Sequence, residues 1–219
     1  MPHRFRSSGF TLVELMVVLA VVTILAALAG VAVLRGTSRV RVSNAAFEVG
    51  ALYTGAQMRA SSLGVPHYVV FHDDGTEFGV YLLERPDGLS ALDWTQAPVS
   101  APELLGGTVH EHLRLSREHG LGFVDFSASA VQPLPAPFTS IALTASGQGG
   151  LMAGCTFCTT GSGGARGVIR FSPDGTVRVL TGGTTSTTTP GGVLGFAPEG
   201  QGQPRLVVIA APAGAIRVF

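Results

Sequence analysis

From Phe10 to Leu34 the chain carries a single charge, Glu14, and from Leu15 to Leu34 the only polar side chain is Thr23. About 20 residues of this kind, each adding ~1.5 Å to a helix, cross the ~30 Å hydrocarbon core of a bilayer. The run is too long for the apolar region of ~7–15 residues in a secretory signal, and the obvious small residues lie before it. Outside lipid it would expose more apolar surface than a soluble monomer normally presents, so lipid or like helices must cover it. Charge counting does not orient the span, because Arg4 and Arg6 precede it while Arg35, Arg39 and Arg41 follow. Glu14 is the odd member: an acidic residue costs ~2.5–3.5 kcal/mol at mid-membrane and less near the edge. Such a carboxylate sits among the headgroups or has a partner.

The rest of the composition narrows the function classes. Hydrophobic residues make up 46% of the 219 and charged residues 13%, which excludes a highly charged disordered chain. Length alone suggests one domain with an extra element. Fourteen basic and fourteen acidic residues cancel, leaving no broad electrostatic footprint for nucleic acid or anionic lipid. There is no lysine, which removes the P-loop lysine, the Schiff-base lysine and the Ser-x-x-Lys dyad together. Thirty glycines and thirteen prolines with 7% aromatics point to many turns around thin β-structure.

A second apolar rhythm follows at Ala45, Val49, Leu52, Ala56, Ala60 and Leu63, with the steps of three and four that a one-sided helix requires. Glu48, Gln57 and Arg59 occupy the other face, and Leu63-Gly64-Val65-Pro66 supplies the stop. One helix from Phe10 to Leu63 would be roughly 80 Å long. Beyond it, strands are predicted at His67–Phe71, Glu77–Glu84, Val109–Leu115, Leu121–Phe126, Ser140–Leu143, Val168–Phe171, Thr176–Thr181, Val193–Phe196, Arg205–Ala211 and Ile216–Phe219. His72-Asp73-Asp74-Gly75 and Ser172-Pro173-Asp174-Gly175 are hairpin signals. Leu89 to Gly107 reads as a long loop, and Gly161–Gly164 and Gly182–Gly192 as mobile loops or linkers.

The stretch Ser7-Ser8-Gly9-Phe10-Thr11-Leu12-Val13-Glu14-Leu15-Met16 closely resembles the class III signal of type IV pilins and type II secretion pseudopilins. A short basic leader, Gly before Phe, Glu five positions after the glycine and a continuous apolar helix carry the resemblance. It implies cleavage by prepilin peptidase between Gly9 and Phe10 and N-methylation of Phe10, with the apolar helix kept as anchor and assembly element. It also implies that Glu14 pairs with the N-terminal ammonium of a neighbouring subunit, since a buried charge is tolerable when neutralised.

Three later segments are similar to the GspH/FimT (FimU) type. They are Ala56-Gln57-Met58-Arg59-Ala60 followed by Gly64-Val65-Pro66, the hairpin Val168 to Thr176, and the closing runs Leu206–Ile209 and Gly214–Val218. The fold so implied is α+β, a long N-terminal helix, membrane-spanning in its first half, packed on a C-terminal antiparallel β-sheet head. Its parts are a leader at 1–9, the transmembrane and assembly helix at 10–34, an amphipathic continuation at 35–64 and a β-rich periplasmic head at 65–219. The implied role is a non-enzymatic minor pilin of a type IV pilus tip or priming complex, with an H-type pseudopilin of the secretion pseudopilus as the alternative. Its partners would be other minor pilins or pseudopilins, the major pilin, prepilin peptidase, the inner-membrane assembly platform and a tip adhesin. It would lie in the bacterial inner membrane as a single-pass protein and then join the filament tip.

With the head on the far side of the membrane, Cys155-Thr156-Phe157-Cys158 reads as a local disulfide. A redox pair would need a βαβ setting, and a structural zinc site would need two of His110, His112 and His119 to join the cysteines. His110 and His112 flank Glu111 on a predicted strand, which places both imidazoles on one face. Two ligands make a weak site, so a solvated face with Glu118 and His119 in the following turn is expected, with no metal and no cofactor. Asp73, Asp74 and Glu77 lack the spacing of an EF-hand loop and read as a polar hairpin tip. No Gly-x-Ser-x-Gly elbow or catalytic spacing occurs, so no catalytic residue is assigned. Arg205 and Arg217 make a thin phosphate patch, so nucleic acid is not the expected partner; a DNA-binding uptake pilin is the alternative of another class.

Overall fold

The computed structural model describes residues 11–73, 75, 77–88, 106–116, 121–127, 133–161, 164–180, 189–198 and 203–219. The leader with Gly9 and Phe10, most of the Leu89–Gly107 loop, Asp74, Glu118, His119 and most of Gly182–Gly192 lie outside these. The chain divides into two units, Met1–Thr37 and Ser38–Phe219. Helix α1, Leu12–Leu63, contributes to both.

In the second unit α1 turns one stripe inward. Val42, Ala45, Ala46, Val49, Leu52, Tyr53, Ala56 and Ala60 are buried, the spacing a helix needs to cover a sheet. The helix ends where Gly64 takes a left-handed φ of 72°, a conformation that glycine adopts without the penalty of a Cβ, and Pro66 follows. Among the described residues, ten strands then form two antiparallel sheets. The first has β1 (His67–Asp73), β2 (Glu77–Glu84), β3 (Thr108–Ser116), β5 (Thr159–Gly161), β6 (Gly164–Phe171) and β7 (Val177–Leu180), in the order β3-β2-β1-β6-β5 with β7 also on β6. The second has β4 (Leu121–Phe123), β8 (Gly191–Pro198), β9 (Arg205–Ala210) and β10 (Ile216–Val218), in the order β10-β9-β8-β4. A short helix, α2, spans Gly150–Ala153.

One core joins the α1 stripe to Val69, Phe71, Phe78, Leu82 and Ile169 of the first sheet and Leu194, Phe196, Val207 and Ile209 of the second. The outer faces carry their own clusters, Tyr68, Val70, Tyr81 and Leu83 on the first sheet and Val193, Leu206 and Val208 on the second. Strands with both faces covered read as near-continuous apolar runs, as Leu206-Val207-Val208-Ile209 does.

Four sequence expectations change. Ser140–Leu143 is not a strand: Phe138 and Ile141 N–H groups donate to Pro135 and Phe138 carbonyls at 2.9 and 3.0 Å, successive turns after three prolines that offer no backbone donors. Ile141 instead packs on the outer face of the second sheet. β4 stops at Phe123, because Phe126 N–H turns to the Ala153 carbonyl of α2 at 3.1 Å. Gly161 and Gly164 pair with each other at the β5–β6 hairpin rather than forming a linker. Gly191 and Gly192 belong to β8, where a Cβ on Gly192 would press into the Phe157 ring.

Tyr53 lies fully buried in the core with its hydroxyl unpartnered, and burial pushes its phenol well above the usual 10.0. An unmade buried hydrogen bond costs about 1–3 kcal/mol. Tyr53→Phe should therefore leave stability unchanged or raise it by about 1 kcal/mol in denaturant titration. The wild-type chain should lose stability as pH rises past the phenol's ordinary value, because the unfolded state releases that proton first. Tyr53→Phe should flatten that alkaline limb, and an unchanged limb would assign it to other groups.

Candidate functional site

The first unit presents α1 alone. Thr11 precedes its first turn, and the Glu14 N–H donates to Thr11 Oγ1 at 3.2 Å. This is half of the Thr-x-x-Glu capping box, which satisfies one of the helix's orphan donors. Glu14 also sits where the positive end of the helix dipole favours a carboxylate. From Leu12 to Gly30 the mean hydropathy is 2.7, long and apolar enough to cross a membrane. Every large apolar side chain from Leu12 to Leu28 is at least 50% exposed, including the neighbours Val17, Val18 and Leu19. Exposure is thus all round the helix rather than on one side. Thr23, the polar residue of this run, donates its hydroxyl to the Ala20 carbonyl at 2.9 Å, so the helix satisfies it without water.

In the head, Cys155 and Cys158 form a disulfide with Cα atoms 5.6 Å apart. It is buried in the main core beside Phe157, and Cys155 bridges to Leu194 of β8. His110 and His112 do not share a face. Leu83 pairs with Val109 and Leu82 with Glu111, so His110 is the extra residue of a β-bulge, which re-aims side chains. His112 stacks on Tyr81 with ring centres 3.9 Å apart. His110 turns to Glu84 instead, Nε2 to Oε2 at 2.7 Å, and stacks on His67 at 5.5 Å.

The acidic hairpin tip is spent on structure. Asp73 Oδ1 accepts the Gly75 N–H at 3.0 Å and Oδ2 the Leu151 N–H of α2 at 2.9 Å, while Glu77 pairs with Arg114 at 3.3 Å. Arg205 and Arg217 do not combine. Arg217 pairs with Val208 of β9, and Arg205 alternates with Val207 and Ile209 on the other face of that sheet.

The prokaryotic N-terminal methylation motif matches residues 4–30, and it is the signature of type IV pilins and pseudopilins. Over these residues the chain is type IV pilin-like. Neither a curated protein nor a solved structure matches it. The matched residues include Phe10, Glu14 and the apolar run to Gly30, the part of the helix that the first unit leaves uncovered. A membrane anchor is consistent with both. The family to which the motif belongs is structural, not catalytic, and such proteins assemble with other pilins after acting as substrates of prepilin peptidase.

Sequence reasoning missed two residues of the pilin-like head. His67 and Glu84 lie opposite each other at the ends of β1 and β2. The signal was available for this pair, since a hairpin joining the predicted strands His67–Phe71 and Glu77–Glu84 sets residues 67 and 84 side by side. His110 joins them only through the bulge in β3.

Proposed function

We propose that this pilin-like protein is a minor pilin of a type IV pilus, a non-enzymatic subunit of the tip or priming complex that starts filament assembly. The observation that carries the reading is the helix, apolar on every side with one carboxylate in its first turn, whose start lies within the methylation motif. A helix of that kind is stored in a bilayer and then packed among like helices. Prepilin peptidase cuts between Gly9 and Phe10, Phe10 becomes N-methylphenylalanine, and Glu14 takes the N-terminal ammonium of the neighbouring subunit. The helix stop at Gly64, the β6–β7 hairpin and the closing β9–β10 pair support the GspH/FimT (FimU) type. The Gly/Thr-rich sequence from Gly182 to Gly192 suits a subunit used once at a tip better than one repeated along a shaft. The head faces the periplasm, where an adhesin and the other minor pilins are its partners. The H-type pseudopilin shares the motif and is the second reading.

Intact mass and N-terminal sequencing of the protein from its native membrane, with and without a functional prepilin peptidase, test the class. The expected product begins at methylated Phe10 and depends on the peptidase; an intact Met1, or a cut beyond the apolar run, overturns it. Gold-labelled antibody against the head should mark filament ends, and labelling along the shaft would make this a major subunit instead.

A further inference from the structure

We propose that His67, Glu84 and His110 form a site for one divalent transition-metal ion of the Zn2+ type, held by three protein ligands with a fourth position open to solvent. The ligand atoms all lie within 4.8 Å of one another. His110 Nε2 is 2.7 Å and His67 Nε2 3.9 Å from the same Glu84 oxygen. Tetrahedral zinc with bonds of ~2.0–2.1 Å sets its donors about 3.3 Å apart. The two separations bracket that value, so one must open and the other close by about half an ångström to admit the ion.

The buried member argues most strongly for a cation. His67 is fully buried, and its Nδ1 lies 3.1 Å from the Val65 carbonyl. A carbonyl only accepts, so Nδ1 carries a proton, and in the neutral ring Nε2 then keeps its lone pair. That Nε2 is buried with no hydrogen-bond partner and points toward a carboxylate oxygen, an arrangement that buried polar atoms rarely keep. A metal ion would satisfy it. The Nδ1–H to backbone carbonyl bond is the outer contact that fixes tautomer and ring in histidine–metal sites.

The scaffold places the three on one face. His67 continues the alternation of Val69 and Phe71 on β1, and Glu84 that of Phe78, Val80 and Leu82 on β2, all core-facing positions. The bulge then swings His110 toward them. Side chains of His110 and Glu84 are 22% and 24% exposed, which leaves an entry path and the fourth position. Two imidazoles and one carboxylate suit zinc and its borderline neighbours rather than calcium or magnesium.

The test uses the untagged full-length chain in detergent, stripped with chelator and dialysed against Zn2+ alone, with bound zinc counted per chain. One equivalent is expected for the wild type, bound with an affinity that falls at least about 100-fold in both His110→Ala and Glu84→Gln. His112→Ala, on the other face, should keep wild-type binding. Zn2+ should also raise the unfolding midpoint of the wild type and of His112→Ala, but not of the two ligand variants. No stoichiometric zinc at micromolar concentration, or either ligand variant binding as the wild type does, overturns the site.

Discussion

Truncating Phe71 to alanine should cost the head about 3–5 kcal/mol of unfolding free energy. Phe71 is fully buried at the point where three parts of the head meet. Its ring lies 5.9 Å from Tyr53 of α1 and 5.7 Å from Phe157 beside the disulfide, both edge-on, and 6.3 Å from Phe78 of β2. Alanine would remove the transfer free energy of the ring and leave a cavity that helix, sheet and disulfide segment cannot all collapse into. A domain is typically stable by about 5–15 kcal/mol, so a substantial share of the margin would go. Phe47→Ala, on a side chain 59% exposed on the same helix, should change stability by less than about 0.5 kcal/mol. Denaturant titration of both variants is the comparison; equal midpoints would mean that the core is not organised around Phe71.

Glu14→Ala should leave the amount of protein in the membrane unchanged and reduce its incorporation into filaments about a hundredfold or more. Removing one partner of a buried ion pair costs about 3–5 kcal/mol, because the other charge stays buried and unpaired, and each 1.4 kcal/mol is about a factor of ten. The membrane level should hold because the substitution removes the one charge of the apolar helix. Glu14→Gln should fail like alanine, and Glu14→Asp should recover part of the assembly. Quantifying the head in sheared filaments against the membrane fraction measures the ratio. Wild-type incorporation of Glu14→Ala would remove the pairing role and leave the carboxylate as a helix-start residue beside Thr11.

Much of this architecture is legible in the sequence because most of its signals are local. Steps of three and four from Ala45 to Leu63 mark the buried stripe, and β2 falls at Glu77–Glu84 as expected from its composition and turn. The Ser172–Gly175 hairpin is fixed by its own side chains, since Thr176 donates both N–H and Oγ1–H to Asp174 Oδ1. Those bonds, the hydroxyl's first, hold the Asp174 carboxyl below its usual value. Their help to the turn is present above that value and fades as pH falls. Long-range facts were hidden. Nothing local divides ten strands into two sheets, and an Ile141–Leu143 alternation looks like a strand whether a sheet edge or another face receives it. The bulge at His110 is a mismatch between two strands, so neither strand alone announces it, and it separates two histidines that simple alternation puts together.

The cysteine bridge ties its own chemistry to local opening. Cys155 is fully buried and Cys158 nearly so, enclosed between α1 and both sheets, with Phe157 between them in sequence. In the finished head neither sulfur can be reached by an oxidase, a reductant or a neighbouring thiol, since exchange needs direct attack on sulfur. Closing or breaking the bridge therefore requires the segment around Cys155 to open, with its Leu194 contact to β8 released. A chain that folds before it meets an oxidant would hold its two thiols away from it and oxidise only as fast as that segment opens. Each mature head thus keeps, for as long as that segment stays closed, a record of the redox conditions under which it folded.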